Sequence, residues 1–111
     1  MIRDDLSKEV IIKGRNAFKR LFEHGMYKQG RDVSIIYMSS DSFKIGFAVS
    51  KKIRGSVRRN RLKRLMREVY RTHKALFPDN MDVILLAKRE DVRFEDLKSD
   101  ICSLLDELIK P

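Results

Sequence analysis

The sequence predicts a single-domain α+β protein, an αβββαβα sandwich with helices packed on a small, mixed and mainly antiparallel sheet. Three observations lead there. Short runs rich in β-branched residues, bounded by turn residues, recur at 33–38, 43–49 and 81–87. Apolar residues recur at helical spacing through Leu62, Leu65, Met66, Val69 and Tyr70, and again through Phe94, Leu97, Ile101, Leu104, Leu105 and Leu108. The chain of 111 residues has the length of one domain that can bury one core without staples.

In chain order, residues 1–13 carry weak signals and are expected to form an extended or frayed arm. Residues 16–25 read as a short helix with Asn16 as N-cap and Gly25 just past its end. Phe18 and Phe22 stand at i,i+4 and share a face, Ala17 and Leu21 a neighbouring one. Spacing alone favours both rings as core. Residues 26–31 read as a short strand, and 33–38 as a second that turns through Ser39-Ser40-Asp41-Ser42 into its hairpin partner at 43–49. Gly55-Ser56 punctuates the loop before the next helix, with Ser56 as the expected N-cap. That helix is expected to reach His73 or Leu76. A turn at Pro78-Asp79-Asn80 leads into the strand at 81–87, and the last helix carries Glu95, Asp96, Asp100, Asp106 and Glu107 on an acidic outer face.

Charge is concentrated in one place. Residues 51–71 hold ten Lys and Arg against one acid, Glu68, a surplus equal to the +9 of the whole chain. Helical steps of about 100° put the apolar residues of this stretch on one arc and Asn60, Lys63, Arg64, Arg67 and Arg71 on the opposite one, flanked by Arg59 and Arg61. A solvated face normally mixes signs because like charges at i,i+4 repel. A one-sided, arginine-rich row suits a polyanion, since the guanidinium fork donates two parallel hydrogen bonds to phosphate. Nucleic acid is the partner this implies.

Catalytic chemistry has no obvious carriers. His24 and His73 sit near helix ends without a carboxylate or Cys at metal-ligand spacing, and there is no zinc pattern and no Gly-rich phosphate loop. Asp79 and Asp82 bracket a turn, and Cys102 falls at the edge of an apolar stripe. A single cysteine suits a reducing cytosol, and no segment has the character of a signal peptide or membrane span. The expected catalytic and metal-ligating residues of the polypeptide are therefore none, and neither a membrane nor a small-molecule substrate is expected.

The segments Phe18-x-x-x-Phe22-x-x-Gly25, Ile45-Gly46-Phe47-Ala48-Val49-Ser50-Lys51-Lys52 and Arg59-Asn60-Arg61-x-Lys63-Arg64-x-x-Arg67-Glu68, in this order, resemble the bacterial ribonuclease P protein subunit. The resemblance runs from Asn16 through the final helix. It implies a cytoplasmic ribonucleoprotein in which a catalytic RNA, using Mg2+ bound mainly by RNA, cleaves precursor tRNA to form the mature 5′ end. The protein would bind that RNA and the substrate's single-stranded 5′ leader. By position, Arg58, Arg59, Asn60, Arg61, Lys63, Arg64, Arg67 and Arg71 would face the catalytic RNA. Phe18, Phe22, Tyr37, Lys51 and Lys52 would line the leader cleft. Counting from Gly25 points to Ile36 rather than Tyr37, and only one of two adjacent strand residues can face the cleft; residue type selects Tyr37. The resemblance also implies a left-handed crossover around the basic helix, against the general right-handed rule. Arg54-Gly55 departs from the family's usual Lys-x-Gly-x-Ala-Val, which bears on the loop and on Lys52. The alternatives from other classes are a structural ribosomal or other RNA-binding protein lacking a leader cleft, and a protein-only nuclease.

Overall fold

A computed structural model describes residues 10–109, so the expectation for residues 1–9 of the arm lies outside the described residues. Residues 10–13 are tied down. Ile11 bridges Ile45 in parallel, the Ile12 N–H donates to the Ile45 carbonyl at 2.9 Å, and the Ile12 side chain is buried.

The elements are α1 (Arg15–His24), β1 (Met26–Gln29), β2 (Val33–Ser39), β3 (Lys44–Val49), α2 (Ser56–Thr72), a 3-10 turn (Lys74–Leu76), β4 (Met81–Ala87) and α3 (Phe94–Ile109). The four strands form one sheet in the order β1-β2-β4-β3. β2 pairs antiparallel with β1 and with β4, whereas β3 runs parallel to β4. This corrects the expected hairpin between residues 33–38 and 43–49, because β4 lies between them. The reason is burial. Val83, Ile84 and Leu85 are fully buried, so β4 is apolar on both faces and takes a central place. The four residues from Ser40 to Phe43 step across its end, with the Ser40 N–H on the Asn80 carbonyl at 3.0 Å.

Strand alternation divides the core into two layers. Val33, Ile35, Ile45, Val83 and Leu85 face α2 and α3, whose Leu62, Met66, Val69, Leu97, Ile101 and Leu105 complete the larger layer. Phe43, Tyr70 and Phe77 close one end of it, Phe43 stacked on Tyr70 at 5.6 Å and Phe77 edge-on to Tyr70 at 5.0 Å. Ile36 and Ile84 face the other way, toward Ile12 and Leu21 beneath α1. A helix about 10 Å across spans roughly two strand spacings of about 4.8 Å. α1 packs chiefly on β2 and β4 and reaches β3 through Phe18 over Gly46, leaving the end of β3 open beside it.

Four local expectations change. α1 begins at Arg15, with Gly14 rather than Asn16 at its N-cap. α2 is preceded by Gly55 at φ +95°, a backbone conformation that Ser56 would adopt only with strain; Ser56 is instead its first helical residue. Asp100 is not part of an outer acidic face. Its carboxylate accepts the N–H groups of Arg31 (3.2 Å), Asp32 (2.9 Å) and Val33 (2.9 Å), clamping α3 to the β1–β2 connection. α2 itself ends at Thr72.

Candidate nucleic-acid interface

The buried face of α2 carries Leu62, Met66, Val69 and Tyr70, as their spacing requires. On the opposite side Asn60, Arg64 and Arg67 are exposed, and Lys63 is half-buried at the margin. Among the described residues, Asn60, Lys63 and Arg64 have no side-chain hydrogen bond or ion pair. From Asn60 to Arg71 this row runs for about 16 Å of helix. Arg67 lies over the Phe47 ring, 5.6 Å from its centroid.

The remaining cations divide into three kinds. Arg58 stands 3.5 Å from Glu90, but both side chains are largely solvated, so the pair is weak and leaves the charge available. Arg71 pairs through two nitrogens with Glu68, and these hydrogen bonds hold the Glu68 carboxyl below the usual glutamate range. Arg59 and Arg61 turn back onto the chain. Arg61 Nη2 donates to the Val92 carbonyl at 2.9 Å, and Arg59 donates to the carbonyls of Val49, Ser50 and Ile53. Both sit in the first turns of α2, within reach of carbonyls at the end of β3 and in the loops that follow β3 and β4.

Beside this row lies a groove of about 720 Å³, formed where α1 fails to cover β3. Phe18, Lys19, Phe22 and Glu23 form its α1 wall, Phe47, Ala48 and Leu86 contribute from β3 and β4, and Lys51, Arg59 and Lys63 line the far side. Phe18 and Phe22 are both half-buried, anchored on the layer beneath α1 and open to the groove. Phe18 rests directly on β3, since a Cβ at Gly46 would lie 2.6 Å from its Cζ. Gly25 allows a comparable approach, with room for no Cβ between the Leu21 carbonyl at 2.6 Å and Ile36 Cγ2 at 2.9 Å.

Tyr37 does not line this groove. It pairs with Val83 on β4 and packs on the α2–α3 layer, across the sheet from Phe18 and Phe22. Its neighbour Ile36 does face α1 but is fully buried. The pleat settles this: once Ile36 supports α1, Tyr37 points the other way. Lys51 lines the groove, whereas Lys52 is exposed on the same turn outside the lining. Phe47, Lys19 and the double membership of Lys63 escape a reading by element. Phe47 could have been found only by knowing that β3 is an edge strand, around which one wall of the groove wraps.

Among the described residues no group of three or more His, Cys, Asp or Glu side chains is placed to hold a metal ion. Burial pushes the Cys102 thiol up, away from thiolate chemistry.

The family model for ribonuclease P matches residues 6–109. The ribonuclease P protein component of Pelotomaculum thermopropionicum is 32% identical over 99 residues, 86% of this chain and 88% of the relative. That of Halalkalibacterium halodurans is 32% identical over 101 residues, 86% and 85% of the two chains. The solved RNase P protein of Staphylococcus aureus superposes with a TM-score of 0.78 at 26% identity, over 90% of this chain and 95% of that one. The Thermotoga maritima RNase P protein shares the fold at the same TM-score, with 24% identity over 90% and 97% of the two chains. A match this long, with relatives this similar over most of both chains, makes the protein a member of the ribonuclease P protein family.

Proposed function

We propose that the protein is the RNA-binding subunit of a cytoplasmic ribonuclease P, an endoribonuclease of tRNA processing whose catalytic RNA cleaves precursor tRNA to create the mature 5′ end. The exposed row of α2, Asn60, Lys63, Arg64 and Arg67 with Arg71 at its far end, binds the catalytic RNA, together with Arg58 on the first turn beside Glu90. The groove beside it receives the single-stranded 5′ leader. Magnesium ions serve the reaction bound mainly to RNA, and the protein supplies no reacting group.

The observation that carries this reading is the groove itself, which offers ring faces and cations in one trench. A leader must be accepted whatever its sequence. Stacking is suited to that because every base has a π-face, and each stack is worth about 1–3 kcal/mol. Phe18 and Phe22 supply the rings, and Lys51, Lys63 and Lys19 supply charge for the backbone. A structural RNA-binding protein needs the α2 row but has no use for such a trench.

The test is processing of a precursor tRNA by a bacterial ribonuclease P RNA at low magnesium, with and without the protein. The protein is expected to restore cleavage and to tighten binding of leader-bearing over leaderless tRNA. Equal affinity for the two substrates would defeat the leader assignment, and no effect on cleavage would defeat the function.

A further inference from the structure

Arg59 lies within the arginine-rich motif of α2, yet its side chain runs back along the chain. Nη1 donates to the carbonyls of Ser50 and Ile53, both at 2.9 Å, and Nη2 to that of Val49 at 3.2 Å. These three carbonyls frame one turn, which leaves β3, carries Lys51 on the groove lining and Lys52 beside it, and ends at Gly55. Within the turn the Ile53 N–H bonds to the Ser50 carbonyl at 3.0 Å and the Lys52 N–H to the Ser50 hydroxyl at 3.3 Å. The Ser50 N–H ties its start to Ala87 on β4 at 2.9 Å, and the carbonyls of Val49 and Ile53 are met by Arg59. At its far end Gly55 sits at φ +95° with open space around it, a conformation only glycine holds easily. Of the five N–H donors of the guanidinium, three are already engaged within the chain.

We propose that Arg59 is a positioning residue for the groove: its fork holds the turn that presents Lys51 at the rim, rather than serving as a contact to catalytic RNA. The proposal rests on the reading of the groove as the leader site. The planar fork is essential to it. Three carbonyls spread over five residues are met by donors in one rigid plane, whereas a lysine ammonium is a point donor on a flexible stem. A rim lysine held in place before binding loses less freedom when a phosphate arrives, which is where the affinity gain comes from. Asn60, Lys63 and Arg64, one to five residues further on, are left as the outward contacts.

The experiment compares wild type, Arg59→Lys and Arg59→Ala, each full-length and assembled with a bacterial ribonuclease P RNA. It measures affinity for precursor tRNA with and without a leader, affinity for the catalytic RNA across a salt series, and hydrogen exchange of the amides at 51–55. Both variants should bind leader-bearing tRNA about fivefold more weakly, the scale of misplacing one phosphate-binding lysine. Leaderless binding, catalytic-RNA affinity and its salt slope should hold, exchange at 51–55 should quicken, and Lys51→Ala should add little in the Arg59→Ala background. Because Arg59→Lys keeps the charge and most of the stem, it guards against loss of fold in Arg59→Ala. Parallel loss of both tRNAs and of catalytic-RNA affinity, with a salt slope shallower by about one, would make Arg59 an RNA contact and overturn the proposal. So would Arg59→Lys behaving as wild type. If wild type itself ignored the leader, the leader reading would fall, and the exchange data would still decide whether Arg59 holds the turn.

Discussion

Gly46→Ala is the substitution that most directly tests how the groove is built. Gly46 lies in the middle of β3, and its missing side chain is where the Phe18 ring sits. An added Cβ would stand 2.6 Å from Cζ, 3.0 Å from Cε1 and 3.4 Å from Cε2. Comfortable carbon–carbon contact is about 3.5–4.0 Å, so the tip of the ring must retreat by roughly 1 Å. It can do so, because Phe18 is only half-buried and its free side is the groove. The backbone at Gly46 is ordinary strand, so alanine is not strained there. It also gains about 0.4–1 kcal/mol by restricting the unfolded chain, set against an overpacking cost of about 1–3 kcal/mol. Net destabilisation should stay near 1–2 kcal/mol, readable in a denaturant titration with unchanged slope. Leader affinity should suffer more. If a ring displaced by 1 Å forfeits about half of a stack worth up to about 3 kcal/mol, leader-bearing tRNA binds roughly tenfold more weakly. Leaderless tRNA and the catalytic RNA should bind as before. Adding Phe18→Leu should restore stability without restoring leader affinity. The reasoning would be refuted if Gly46→Ala lost stability while keeping full leader preference, or lost affinity for leaderless tRNA to the same degree.

Other expectations follow from the same geometry. Lys63→Ala and Arg64→Ala should each weaken catalytic-RNA binding and lower the slope of log affinity against log salt by about 0.7–0.9, without moving the thermal midpoint. Tyr37→Phe should leave leader affinity unchanged, since that ring is on the other side of the sheet; a selective loss of leader binding would contradict the face assignment. Asp100→Ala should cost about 2–3 kcal/mol by orphaning the three N–H groups of the β1–β2 connection, with RNA binding per folded molecule unchanged. The Glu68–Arg71 pair should support the end of α2 above the usual glutamate pKa, and that support should fade as pH falls through the lowered folded value. An NMR titration should place the Glu68 midpoint below that of an exposed glutamate, and Arg71→Ala should return it.

Periodicity made much of this architecture legible. The two faces of α2 follow from a 3.6-residue repeat in Leu62, Met66, Val69 and Tyr70, and β4 from an apolar run too short for a helix. What periodicity cannot report is neighbourhood. A period of two says which residues share a face but not which strand lies alongside, so sequence order alone implies a β2–β3 hairpin, and β4 nevertheless separates them. Site residues divide along the same line. Lys63 and Arg64 can be placed on the outer side of α2 because helix phase alone determines it. Arg59 and Arg61 flank that row and bend back onto the chain, because the carbonyls of residues 49–53 and of Val92 come within reach, a fact of loop path. Phe18 and Phe22 look like core by spacing, and both do pack on the layer beneath α1; the groove beside the end of β3 leaves part of each exposed.

The two surfaces are not independent, and the link between them lies at the start of α2. Lys63 belongs to the outward row by helix phase and to the groove by position, and Arg59, one turn earlier, belongs to the groove and to the turn that carries Lys51. Because β3 is an edge strand and α2 is the crossover from β3 to β4, the helix must begin beside the open side of the groove. A strand lying against Phe18 and Phe22 therefore has the first turns of α2 as its opposite wall. If α2 is seated on the catalytic RNA, that strand is held alongside the RNA with no adaptor between them, and groove and row should be coupled through Lys63. A double-mutant cycle between Lys63→Ala and Phe22→Ala reads this directly. On leader-bearing substrate the pair should depart from additivity by about 0.5 kcal/mol or more, while Arg71→Ala with Phe22→Ala, separated by two further turns of helix, should be additive. Additivity in both pairs would mean that one helix serves two unconnected sites.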